Sequence, residues 1–167
     1  MCKLMKLIER IYGWFLRALN ACQAPFLLAV RLYWGWQFWQ AGWGKVTNIP
    51  HVTEYFTSLG VPAPALNAYF ISLLEVAGGI LLALGLGSRL IAFPLTIDMI
   101  VAYVLGDREA LGSVFSDPDK FYAASPYTFL FASLIILFFG PGKFSLDTLI
   151  LWYRKKRAPK LEAAEGK

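Results

Sequence analysis

The chain has 167 residues, of which 57% are hydrophobic and only 16% charged, and its mean hydropathy is +0.52. That balance lies outside the range of a water-soluble domain, so a bilayer is the expected surrounding. The formal charge of +5 does not point to nucleic acid, because the basic residues flank hydrophobic spans and form no stripe on a soluble fold.

Residues 1–23 predict an N-terminal amphipathic helix, with Lys3, Lys6, Arg10 and Arg17 on one stripe and Leu4, Leu7, Ile8, Ile11 and Phe15 on the other. Such a helix lies on anionic headgroups with its apolar side in the acyl boundary. A rival reading is a secretory signal, since Leu19-Asn20-Ala21-Cys22 loosely resembles a lipoprotein cleavage box; Arg17 argues against it by interrupting the uncharged stretch such a signal needs. A bilayer core about 30 Å thick needs roughly 20 apolar residues per helix, and four stretches approach that length. The spans are expected at about 25–43, 66–86, 90–105 and 126–139, within a bundle covering 24–143. Pro25 opens the first span, which is aromatic throughout: Tyr33, Trp34, Trp36, Phe38, Trp39 and Trp43. Trp39 and Trp43 suit an interfacial belt and the others bundle packing, with a ligand cage as the alternative.

Residues 44–65 are expected as a loop containing Lys45, His51 and the breaker Val61-Pro62-Ala63-Pro64. Gly87-Ser88 is too short for anything but a tight antiparallel return, so the second and third spans are neighbours. Residues 106–125 are polar, with Asp-Pro and Ser-Pro turn signals, and the fourth span is short for a full crossing, so that it either starts nearer Phe121 or sits in locally thinned bilayer. Gly140-Pro141-Gly142-Lys143 ends that span. Residues 144–167 are then expected as a second interfacial helix, N-capped by Ser145, followed by a basic tail whose last ten residues are disordered. The fold class is therefore an all-α membrane protein: a four-transmembrane-helix bundle with N- and C-terminal amphipathic interfacial helices. Lys and Arg concentrate in residues 1–23, at Arg89 and in residues 141–167, which puts the N- and C-termini in the cytoplasm of an inner-membrane, multi-pass protein.

Cys2 and Cys22 form no metal or redox motif, and His51 stands alone, so no metal, no haem and no intrinsic cofactor are expected. Three ionisable residues fall within spans: Arg31, Glu75 and Asp98. Charges at mid-membrane cost about 3 kcal/mol each on insertion scales, so they turn inward and find partners. Gly78 and Gly79 share the face of Glu75, while Gly35, Phe38 and Gly42 share that of Arg31. An Arg31–Glu75 ion pair follows, with Asp98, four residues after Pro94, as the acid without a named partner and the candidate for proton exchange. Arg31, Glu75, Asp98, Trp34, Phe38 and Lys45 make up the candidate polar, ligand-binding pocket; the alternatives are that the charges only lock helices together and that Lys45 snorkels to the headgroups.

Several of these segments, in this order and spacing, look like the DoxX family: Arg31, Gly42-x-Gly44-Lys45, Glu75-Val76-Ala77-Gly78-Gly79, Gly85-x-Gly87-Ser88-Arg89, and Gly140-Pro141-Gly142-Lys143-Phe144-Ser145-Leu146-Asp147. The match covers about residues 25–150. The resemblance implies a four-helix bacterial or archaeal membrane protein. Its founding members are associated with a terminal quinol oxidase and with thiosulfate oxidation coupled to quinone, and other members with thiol and oxidative-stress responses. Fold kinship does not transmit chemistry. With no metal cluster, paired cysteines or nucleotide loop in the chain, a quinone or redox partner proteins would carry the electrons. The leading expectation is thus a membrane subunit of a quinone- or thiol-linked redox system that binds a small amphipathic ligand. A proton-coupled transporter and a non-catalytic membrane anchor or assembly protein are the competing readings. The glycine-rich helix faces suit either the bundle or a homo-oligomer.

Overall fold

Glycine and proline punctuate the apolar sequence, and helices fill the intervals between them. The computed structural model describes the backbone of residues 2–165 and the side chains of residues 5–157. The elements are α1 (Cys2–Val46), α2 (Ile49–Ser58), α3 (Pro64–Leu84), α4 (Ser88–Leu105), α5 (Arg108–Gly112), α6 (Pro118–Ala123), α7 (Pro126–Phe139) and α8 (Leu146–Glu165), with no strand among the described residues. By length and composition α3 and α4 can each cross a membrane, and α7 is apolar but shorter. The part of α1 that enters the bundle is less apolar than these, because Arg31, Gln37, Gln40 and several Trp dilute its aliphatic residues.

α1, α3, α4 and α7 pack as an antiparallel bundle, α3 lying between α1 and α4, and α7 closing against α4 and α1. The α1 side of this packing follows a helical stripe: Ala24, Leu27, Arg31, Gly35, Phe38 and Gly42 are all buried. Glycine lets the two backbones touch. A methyl group on Gly79 would lie 2.5 Å from the Gly35 carbonyl oxygen, and one on Gly42 would lie 2.6 Å from the Val76 nitrogen. α4 turns Ala92, Leu95 and Met99 inward onto Phe38, Leu82 and Ile136, which form the apolar core. Between α3 and α4 the chain reverses through Gly85 (φ 71°) and Gly87 (φ 57°), a conformation that costs glycine least.

Four expectations are corrected by the backbone. No boundary separates an N-terminal helix from the first span: α1 runs unbroken through Pro25. Most side chains from residue 5 to 23 are exposed, so this half projects from the bundle; Lys3 and Leu4, assigned to its stripes, lie outside the described side chains. The loop expected at 44–65 contains α2, whose Ile49, Val52 and Phe56 follow helical spacing that Leu59 at its C-cap continues, with Pro50 in its first turn and Val52 buried. Residues 106–125 hold two short helices, α5 and α6, and the fourth span does not begin at Phe121: Ala124 is extended between α6 and α7. α8 is capped by Ser145, whose Oγ accepts a hydrogen bond from the Thr148 N–H at 3.2 Å. It continues to Glu165, through most of the stretch expected as disordered tail; residues 166 and 167 lie outside the described residues.

Candidate functional site

A cavity of about 400 Å³ opens where α2 leans over the bundle, at the end away from the α3–α4 turn. Its walls are mainly apolar, with Val52 and Phe56 from α2, Ile71 from α3, Met99 from α4 and Phe129 from α7, and its polar lining includes Lys45, His51, Asn67, Glu75, Asp98, Asp107 and Ser125. Three helices place these charges. Gly42 admits α3 so closely that a methyl there would meet the Glu75 Cβ at 2.8 Å, so Glu75 sits directly against the end of α1. One α-helical turn beyond Gly42, Lys45 reaches inward and donates to Glu75 Oε1 at 2.5 Å. Asp98 comes from α4 and lines the same cavity as Glu75.

Burial makes these groups chemically consequential. Glu75 is 1% exposed and Asp98 8%, yet Glu75 Oε2 and Asp98 Oδ2 have no hydrogen-bond partner among the described residues. Carboxylate oxygens are acceptors, so two buried acceptors lie without a donor in side chains that line the cavity. Lys45 brings one positive charge to two carboxyl groups. A proton or a cationic ligand would balance the carboxyl group that Lys45 leaves uncompensated.

Arg31 is not part of this cluster. Glu75 packs at the level of Gly42, whereas Arg31 lies eleven residues earlier on α1, about 16 Å along the axis at 1.5 Å per residue. The expected Arg31–Glu75 pair is therefore replaced by Lys45–Glu75. Arg31 is fully buried at the opposite end, beside Gly85, where its Nη2 donates to the Phe144 carbonyl. There it joins a clasp. Asp147 accepts hydrogen bonds from the Gly87 and Ser88 N–H groups, at 2.8 and 3.1 Å, and its own N–H donates to the Gly85 carbonyl at 3.0 Å. Arg89 Nη2 donates to the Phe138 carbonyl at 3.1 Å. Asp147 thus caps α4 from another element, placing a negative charge where the helix dipole is positive.

Trp34 and Phe38 stand one layer behind the cavity, packed on Phe129 at ring-centroid distances of 5.2 and 4.8 Å, and neither lines it. Tyr33, Trp36 and Trp43 are exposed on the outer face of α1. The residues that sequence reasoning missed are those of α2, His51, Val52 and Phe56, which wall the cavity. Their signal was the apolar spacing in the stretch read as a loop.

The family model described as DoxX matches residues 26–108. Among curated proteins, the chain is 32% identical over 138 residues to "Uncharacterized membrane protein Rv3486" of Mycobacterium tuberculosis, covering 78% of this chain and 85% of that protein. It is 27% identical over 125 residues to "Inner membrane protein YqjF" of Escherichia coli, covering 74% of this chain and 91% of that protein. No solved structure matches significantly. The family match spans α3, α4 and the bundle half of α1, which together hold Lys45, Glu75 and Asp98.

Proposed function

The chain belongs to the DoxX family of membrane proteins, and on that premise we propose that it is a ligand-binding membrane subunit of a quinone- or thiol-linked redox system. The carrying observation is the cavity of about 400 Å³ into which the paired Glu75 and the acid Asp98 face. Largely apolar pockets with a few convergent polar groups are the usual form of a small-molecule site. An amphipathic molecule fits that division: its apolar body lies against Ile71, Met99 and Phe129, and its polar end meets the carboxyl groups. α3 and α4 are long and apolar enough to cross the bilayer, and in this reading α1 and α7 cross beside them, α7 in locally thinned lipid. The concentration of Lys and Arg in residues 1–23 and 141–167 supports cytoplasmic termini in an inner membrane, which puts the cavity near the opposite face.

Orientation is tested on a chain carrying Cys2→Ser. A membrane-impermeant maleimide should reach exposed Cys22 from the cytoplasmic side alone, and labelling from outside intact cells would reverse the topology. The role itself is tested in membranes. Glu75→Gln should abolish the quinone- or thiol-linked turnover that wild-type membranes support. Arg31→Met, if it inserts, should retain it, because Arg31 is remote from the cavity. Unchanged turnover in Glu75→Gln would remove the redox reading.

A further inference from the structure

The cavity is specific about charge as well as size. Glu75 and Asp98 together carry two carboxyl groups, Lys45 engages only Oε1 of Glu75, and Oε2 of Glu75 and Oδ2 of Asp98 are buried without partners among the described residues. An anionic ligand would meet two carboxyl groups at close range, and a ligand offering only acceptors would leave both orphaned oxygens unmet. A metal cation is poorly served, because hard cations require six or more oxygens and no group of three or more metal-binding side chains occurs among the described residues. An ammonium group supplies N–H donors to the carboxyl pair in the cavity wall and a positive charge that balances Glu75 and Asp98 together with Lys45, and Asp107, which also lines the cavity, adds to its preference for a cation. The walls then take an apolar body, and Phe56 and Phe129 offer aromatic surface beside the charge.

We infer that the natural ligand is a monocationic primary or secondary ammonium amphiphile, its nitrogen seated between Glu75 and Asp98 and its apolar body between α2, α4 and α7. This rests on the cavity being a ligand site, as proposed above. The ammonium competes with a proton for the same pair of carboxyl groups, so each binding event displaces or replaces that proton. N–H donation is essential, which excludes quaternary ammonium compounds as equal substitutes.

The test uses the full chain in lipid nanodiscs and four probes of similar size: 2-phenylethylammonium, 2-phenylethanol, 3-phenylpropionate and 2-phenylethyltrimethylammonium, with binding measured calorimetrically. The ammonium probe should bind at least about tenfold more tightly than each of the others, a margin expected for one charge-assisted interaction. D98N should erase that preference. K45Q, which removes the competing cation, should increase it, and a loss of folding or shape could not produce opposite changes in the two variants. Equal or tighter binding of the alcohol or the carboxylate overturns the ammonium assignment while leaving the cavity a ligand site. Equal binding of the quaternary compound overturns N–H donation. Failure of all four probes to bind overturns both this inference and the ligand-site reading.

Discussion

Glu75 and Arg31 are both buried charges, yet they do different work because their partners differ. Glu75 faces a cavity with one oxygen engaged and one free. Arg31 spends its one direct hydrogen bond on a main-chain carbonyl and draws together α1, the α3–α4 turn and the segment before α8. Asp147 completes that clasp with three main-chain hydrogen bonds. Losing a side-chain cap costs about 0.5–2 kcal/mol, so Asp147→Ala should lower the unfolding free energy in detergent by about 1–2 kcal/mol and leave cavity binding intact. A thermal or denaturant unfolding series checks this, and an unchanged midpoint would mean the cap does not contribute. The sequence made Arg31, Glu75 and Asp98 legible as inward-facing charges, because insertion cost and glycine-lined faces are local properties. Who pairs with whom was not legible. Depth estimates from separate helices tolerate errors of a turn or more, and Lys45 at a helix end suited the interface as well as the interior.

At the scale of elements, the α1–α3 contact sets everything near the cavity. Gly35, Gly42 and Gly79 remove side chains where the two helices meet, and the backbones approach until main-chain atoms touch. The small residues at helical spacing were readable in the sequence as a close-packing surface, although not which helix they served. Gly79→Ala places a methyl group 2.5 Å from both the Gly35 carbonyl oxygen and the Trp39 nitrogen. Overpacking of this kind costs about 1–3 kcal/mol, and it also shifts Lys45 relative to Glu75. The variant should therefore lose stability in unfolding measurements and bind cavity ligands more weakly, whereas Gly44→Ala, in open space, should do neither. α2 was the element least visible. Its Pro50 and polar surroundings read as loop punctuation, and its apolar residues are too few to announce a helix without the bundle beneath them. The continuity of α1 through Pro25 was hidden for a related reason: a proline that suits a helix start can also be carried within a longer helix.

Across the whole molecule the polar groups divide between two ends. One end is a clasp of Arg31, Arg89 and Asp147 that fixes helix connections. The other is a cavity whose Lys45, Glu75 and Asp98 leave acceptors unmet. The segments that carry the family resemblance are split between them: Glu75 and Lys45 belong to the cavity, and the Gly85–Arg89 and Gly140–Asp147 segments to the clasp. Composition alone fixed the membrane class, since a chain with so few charges has little surface to offer water. The central claim is that the cavity is built to hold a small molecule. Native mass spectrometry of the gently extracted full chain, compared with Ala102→Trp, which fills the cavity from its α4 wall, tests it most directly. Wild type should carry a small-molecule adduct that the variant lacks; a wild-type spectrum free of adduct, or an adduct equally retained by the filled variant, would contradict the account.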